Sequence, residues 1–385
     1  MILFSVLMLV ACQTIPESQH GPFPQVEEQS LWSAVLGEQR SIYLHVPEGY
    51  VRDGSMPIVV VTDAKSQFPL VDSYLSHLSG DWPRLPKMVV VGVVNTNRNR
   101  DFVPRADPNF AGTGGADRFA TFLRDELLPH VEAQTGGALA RILLGHSFGG
   151  VNALNVLLTD ETLFDAYVAI GTSTWVADRV LFERAEQRFA KPARLRAWLY
   201  MAVAERDGGA TVPDGEAFAR LLQARAPAEL DWRFEVIPKT DHMSAVPVAI
   251  DRAFTALYPV WDQQAAVLDA ATRGPAAIRA WFAAERERLD WRFLPHAWDL
   301  MIAAYQLSAE GKPEEALTVL SQAIEAHPQQ SELLIAQGDV YLAQGRRREA
   351  EQAWQRALAQ LRTAGAPDYR AFPVRRRLRH LQEEV

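Results

Sequence analysis

The sequence predicts an α/β fold with a mostly parallel, doubly covered sheet, followed by an all-α region. Continuous β-branched runs such as Ile58-Val59-Val60-Val61 and Val89-Val90-Val91 suit strands buried on both faces. Such runs alternate with helical stretches from about residue 31 to 258, the pattern of an α/β domain. Beyond that point no strand pattern remains and residues recur with a period of 34. The chain of 385 residues is 48% hydrophobic and 22% charged, which excludes a disordered tail, a collagen-like repeat and a polytopic membrane protein. Its net charge of −8 disfavours a nucleic-acid partner, since no basic excess can displace counterions from phosphates. One cysteine excludes a disulfide framework and a cysteine-rich zinc site.

Residues 1–11 form an apolar run followed by Cys12. The run falls short of the ~20 residues that span a bilayer but fits the hydrophobic region of a signal peptide. Leu9-Val10-Ala11-Cys12 resembles the bacterial lipoprotein processing box, although no Lys or Arg precedes it. The expectation is a signal peptide over 1–11 and a lipidated Cys12, with 12–30 as a flexible tether. The protein is then lipid-anchored in the bacterial cell envelope and faces the periplasm, and this anchor is its only membrane contact. The alternative is a soluble periplasmic or secreted protein.

Apolar segments 31–36 and 41–46 flank Gly37-Glu38-Gln39-Arg40 and read as a hairpin. Further strands are expected at 57–62, 88–94, 141–144, 166–170, 198–202 and 232–237, and helices at 117–134, 151–158 and 215–224. This places an α/β domain over 31–260 and a helical one over 261–385. In the latter, Gly311, Ala316, Leu320 and Ala323 return as Gly345, Ala350, Trp354 and Ala357. Period and residue types resemble tetratricopeptide repeats, at about 297–330 and 331–364. Ala304 and Gly338 take the small position of each first helix. Two repeats bury too little alone, so they must lean on 276–289, on a final helix near 372–381, or on the sheet domain. The repeats also offer a surface to a protein partner.

Gly145-His146-Ser147-Phe148-Gly149-Gly150 lies between a strand and a helix, the setting of a nucleophile elbow. A serine there stands on a strained turn with its hydroxyl above the sheet. It needs a base, because an unassisted hydroxyl is a poor nucleophile at neutral pH. Of nine histidines, His242 follows the last strand, in Lys239-Thr240-Asp241-His242-Met243-Ser244, where the base arrives in this topology. An orienting carboxylate belongs after the penultimate strand, in Glu205-Arg206-Asp207; Asp207 is favoured and Glu205 is the alternative. Two N–H donors must face the developing oxyanion. The backbone of Phe148 supplies one, and the loop after the 57–62 strand, Asp63-Ala64-Lys65-Ser66, supplies the other through Lys65.

With Asn95-Thr96-Asn97-Arg98-Asn99-Arg100-Asp101, Gly114-Gly115-Ala116-Asp117 and Thr172-Ser173-Thr174-Trp175 added, the stretch from about 31 to 258 resembles the putative-esterase branch of the α/β-hydrolases. That branch includes siderophore esterases, feruloyl esterases, S-formylglutathione hydrolases and mycolyltransferases. The resemblance implies an α/β-hydrolase fold, with Ser147 as nucleophile, His242 as base and Asp207 as acid, and with Arg98 and Trp175 lining the substrate cleft. A structural role for the last two is the alternative: an ion pair of Arg98 with Asp101, and Trp175 as a wedge under the elbow. No cofactor is expected, and no H-E-x-x-H or helical histidine pair suggests a metal. The sequence thus reads as a serine carboxylic-ester hydrolase acting on a small-molecule ester, of siderophore or aromatic type. The competing reading is a vestigial hydrolase fold that serves as a repeat scaffold.

Overall fold

The computed structural model describes residues 26–47, 50, 52–80, 84–191, 195–292 and 297–383. The signal segment and Cys12 lie outside the described residues. The sheet domain runs β1 (Val26–Ser33), β2 (Glu38–His45), β3 (Ile58–Val61), α1 (Ala64–Leu78), β4 (Val89–Val93), α2 (Arg98–Phe102) and α3 (Ala116–Phe122). A π turn (Leu123–Leu127) leads into α4 (Leu128–Thr135), β5 (Arg141–His146), α5 (Phe148–Thr159), β6 (Ala166–Ile170) and α6 (Val176–Phe189). The domain closes with β7 (Ala197–Ala204), α7 (Thr211–Arg225), β8 (Leu230–Ile237) and α8 (Ala245–Leu257).

The eight strands form one sheet in the order β1-β2-β4-β3-β5-β6-β7-β8. β1 and β2 pair antiparallel, β2 is antiparallel to β4, and every other neighbour is parallel. In β3, Ile58 and Val60 face one apolar layer while Val59 and Val61 face the other. The β-branched runs therefore serve two cores at once, which is why they lack alternation.

Four local expectations are corrected. The tether expected to reach residue 30 ends earlier, because β1 begins at Val26 and pairs in register from Val26↔His45 to Ser33↔Glu38. Its backbone ladder holds polar edge residues that composition alone assigns to a linker. The hairpin turn moves from 37–40 back to 34–37, with Gly37 at φ 72 and its N–H on the Ser33 carbonyl. Glu38, Gln39 and Arg40 are thus strand residues. Residues 63–66, expected as a loop, open α1, whose helical signal Pro69 conceals. The helix expected over 117–134 carries the π turn just ahead of Pro129, which has no N–H to give to the upstream carbonyl.

The helical domain comprises α9 (Val260–Thr272), α10 (Pro275–Leu289), a 3₁₀ turn (Asp290–Arg292), α11 (Ala297–Ala309), α12 (Pro313–Ala326), α13 (Ser331–Ala343), α14 (Arg347–Thr363) and α15 (Asp368–Glu383). The helix pairs α11–α12 and α13–α14 fall on the two 34-residue repeats, and Gly311 and Gly345 turn each pair in the left-handed region. Val267, Ala270 and Ala271 of α9 and Ile278 of α10 pack into the first repeat's core, while Ala371, Val374 and Leu381 of α15 pack into the second. Both ends of the array are therefore covered by helices outside the repeats. On the sheet domain, the Tyr258 ring meets Trp291 edge-on at 6.1 Å, and Arg292 pairs with Asp231 at 2.8 Å.

The repeat seam is tightest at Gly338. A Cβ there would fall inside the buried Trp354 indole, whose Nε1–H donates to the Ile335 carbonyl at 3.2 Å. Helix propensity alone favours alanine over glycine by about 1 kcal/mol, but the overlap reverses that sign. Gly338→Ala should destabilise the helical domain by about 1–3 kcal/mol in chemical denaturation; a gain in stability would contradict this packing.

Candidate active site

β5 ends at His146 and α5 begins at Phe148, leaving Ser147 alone on the bend at φ 59 and ψ −118. A non-glycine residue rarely adopts such a conformation. Two backbone bonds pin it: its N–H donates to the Ile170 carbonyl at 2.8 Å, and its carbonyl accepts from Val151 at 3.1 Å. The glycines around it are required by contact. A Cβ on Gly145 would overlap the Gly149 carbonyl, and one on Gly150 would overlap the Thr172 hydroxyl.

His242 arrives from the loop between β8 and α8. Its Nδ1 lies 2.9 Å and 3.0 Å from the two Asp207 carboxylate oxygens. A carboxylate only accepts, so Nδ1 carries the proton and Nε2 is left as the basic nitrogen. The Asp207 side chain is buried while the imidazole keeps about a third of its surface open. Glu205 is turned elsewhere, accepting the Lys239 N–H at 2.7 Å. The bend at Gly171 presses on this group, since a Cβ there would stand 3.2 Å from the His242 ring and 3.3 Å from His146 Nε2. Among the described residues no hydrogen bond joins Ser147 Oγ to His242. Ser147 and His242 nevertheless flank the same β6 terminus, through the Ile170 carbonyl and Gly171.

His146 is a second imidazole in the site. Its ring centre lies 4.4 Å from that of His242, and its Nε2–H donates to the His242 carbonyl at 3.0 Å. Burial, reinforced by the neighbouring His242, pushes its pKa down to about 4. It is therefore neutral at physiological pH and supports the loop that carries His242.

Phe148 opens α5 and Lys65 sits in the first turn of α1, so their N–H groups belong to two helix N-termini, where backbone donors lack intrahelical acceptors. Arg98, at the start of α2, does not pair with Asp101, which is held by Arg40 and Arg100, each at 2.7 Å. Its guanidinium instead bonds both oxygens of Asp63. Trp175 is half-buried and packs 5.7 Å from Phe110, whose ring stands edge-on to Phe148 at 5.2 Å. The indole Nε1–H reaches the Thr211 hydroxyl at 3.3 Å.

Sequence reasoning misses one part of this wall. After Trp175, residues Ala177, Asp178 and Arg179 all lie in the left-handed region, a turn of the wrong hand for L-residues. The buried Asp107 accepts the Ala177 N–H at 2.7 Å and so anchors that turn. No glycine marks it. The only hint is the Asp-Pro-Asn stretch at 107–109, which reads merely as a turn. No His, Cys, Asp or Glu cluster among the described residues could hold a metal ion.

A family model described as putative esterase matches residues 33–242, and one described as tetratricopeptide repeat matches 307–372. A siderophore enterobactin esterase of Emericella nidulans is 36% identical over 95 residues, 24% of this chain and 31% of its own length. A siderophore triacetylfusarinine C esterase of Aspergillus fumigatus is 30% identical over 147 residues, 34% of this chain and 49% of its own. The chain thus spans a third to a half of these curated relatives. Among solved structures, an IroE-like serine hydrolase of Shewanella oneidensis is 27% identical at a TM-score of 0.64, covering 78% of this chain and 99% of that one.

The buried His146 makes stability pH-dependent. Its pKa is about 4 when folded against 6.5 when free, so the unfolded chain takes up the proton first. Its contribution is intact above about pH 6.5 and is lost as pH falls towards 4. Between pH 7 and 4.5 the wild type should lose about 2 kcal/mol more stability than His146→Gln, measured by urea unfolding at both pH values; equal losses would exclude the neutral, buried imidazole.

Proposed function

The chain belongs to the putative esterase family, and on that premise we propose that it is a serine carboxylic-ester hydrolase working through an acyl-enzyme. The observation that carries this reading is the bond from His242 Nδ1 to the buried Asp207 carboxylate, beside the strained bend of Ser147. Ser147 Oγ attacks the ester carbonyl while His242 Nε2 takes its proton. Asp207 holds the tautomer and offsets the charge of the imidazolium. The tetrahedral oxyanion is received by the Phe148 and Lys65 N–H groups. The imidazolium then gives its proton to the departing alcohol. Water, deprotonated by the same histidine, releases the acid.

The substrate is a small-molecule ester, of the siderophore class that the names of the curated relatives carry or of an aromatic class. Trp175, Phe110 and Phe148 support that reading as an aromatic wall beside the serine. The repeats offer a surface for a protein partner. The Leu9-Val10-Ala11-Cys12 box supports a lipid anchor in the bacterial envelope; metabolic labelling with a fatty acid, lost in Cys12→Ser, checks it.

Ser147→Ala should lower ester hydrolysis by about 10⁴–10⁶-fold with folding intact, and Asp207→Asn by up to about 10⁴-fold. A fluorophosphonate should label Ser147 in the wild type. Turnover retained in folded Ser147→Ala would remove this serine from the reaction. A folded wild type that neither labels nor hydrolyses a panel of esters would favour the scaffold reading.

A further inference from the structure

We propose that Arg98 is a positioning residue for the oxyanion site: its ion pair with Asp63 holds the left-handed bend from which the Lys65 N–H is presented. The inference rests on the esterase reading above. Asp63 lies at φ 55 and ψ 42, directly between β3 and α1. A non-glycine residue there is less at ease than glycine and stays put where its surroundings hold it. The Asp63 carbonyl accepts the N–H groups of Ser66 at 2.9 Å and Gln67 at 3.0 Å, so the bend and the first turn of α1 move as one piece. The N–H groups of Ala64 and Lys65 have no backbone acceptor among the described residues.

The carboxylate of Asp63 is what fixes this piece. Arg98 Nε donates to Oδ1 at 2.7 Å and Nη2 to Oδ2 at 3.0 Å, a fork matched to both oxygens, and the Asn95 amide adds a further bond to Oδ1. The same Nη2 also donates to the carbonyl of His146 at 3.2 Å, one residue before the serine. The guanidinium lies 5.2 Å from the centre of the Phe148 ring, whose own N–H is the other donor. One side chain thus ties the two donor-bearing segments together. They are already close, since a Cβ on Gly149 would stand 3.2 Å from Asp63 Oδ2. An arginine reserved for substrate would keep its fork open; here Nε and Nη2 are committed to the protein.

Positioning and substrate contact predict different kinetics. Full-length wild type, Arg98→Met, Arg98→Lys, Asp63→Asn and the double variant Arg98→Met/Asp63→Asn are assayed on p-nitrophenyl acetate and on a p-nitrophenyl ester bearing a carboxylate. Displacing a donor by about 1 Å costs up to about 10²-fold. Arg98→Met should therefore lose about 10–100-fold in kcat on both esters with KM within about twofold. Arg98→Lys should recover part of that loss, and the double variant should be no worse than Arg98→Met alone. Unchanged kcat with a raised KM confined to the anionic ester would overturn the proposal in favour of substrate contact, and unchanged kinetics would overturn it outright. Should Arg98→Met fail to fold, Asp63→Asn decides: asparagine tolerates the bend but loses the ion pair, so undiminished kcat there overturns the proposal. A folded wild type that turns over neither ester removes the esterase reading and this inference with it; active wild type with an intact Arg98→Met removes the inference alone.

Discussion

Between the end of β5 and the start of α5 the chain must reverse within a single residue. That residue is Ser147, held at φ 59 by the Ile170 carbonyl in front and by Val151 behind. The bend is possible only because its neighbours have no side chains: a Cβ on Gly145 would run into the Gly149 backbone, and one on Gly150 into the Thr172 side chain. Close approach of neighbouring groups to a backbone without side chains is thus the constraint from which the site follows. It brings β6 against the elbow, and through Gly171 it sets the wall against which His146 and His242 lie. It also exposes the first-turn N–H of α5, which a gentler connection would bury in a helix. The hydrophobic layers on both faces of the sheet supply the rigidity that sustains this strain.

The helical domain obeys a different rule. Each repeat presents an apolar face that it cannot bury alone, so stability comes from neighbours. Gly338 and Trp354 exemplify the pairing, a missing side chain on one helix receiving a large one from the next. The array is bounded on one side by α9 and α10 and on the other by α15. Arg370 and Arg377 of α15 reach back to Glu332 and Asp339 of α13, so the terminal helix is held to the second repeat by charge as well as by apolar contact.

What the sequence discloses depends on how local the cause is. Strands buried on both faces announce themselves, because burial on two sides demands consecutive apolar residues, as in 58–61 and 89–93. The elbow is legible for a similar reason, its glycines being fixed by short-range contact. The 34-residue period is legible because each turn repeats the same packing problem. The first part of edge strand β1, residues 26–30, is hidden, since its cause is a backbone ladder with β2 that leaves little mark on side-chain type. The partner of Arg98 is hidden too. Asp101 is three residues away and invites the pairing, yet Arg40, from β2 and wholly buried, needs that carboxylate more than a half-open arginine does. Loop position favours Asp207 over Glu205 only slightly in the sequence; the turn after β7 decides between them, directing Glu205 to the Lys239 N–H and Asp207 to His242.

The distribution of strain connects these observations. Seven non-glycine residues among those described have positive φ: Asp63, Ser147, Ala177, Asp178, Arg179, Lys239 and Asp290. All but Asp290 follow the C-terminal end of a parallel strand, after β3, β5, β6 or β8. That edge is where an open α/β sheet places its ligands. Strained non-glycine residues cost of order 1–3 kcal/mol each, less for Asp, so the strain on this edge is a sizeable fraction of the net stability of a domain. Relaxed sequences with glycine at these points would be easier to fold, but they would also leave the donors, the imidazole loop and the aromatic wall free to wander. Four of the six are instead tied by a specific bond: Asp63 by Arg98, Ser147 by Ile170, Ala177 by Asp107 and Lys239 by Glu205. Three of the four ties come from carboxylates accepting from backbone or guanidinium N–H groups. A fold that concentrates strain on one edge and answers it with charge-assisted bonds has exchanged stability for a fixed geometry, which the proposed oxyanion site would require.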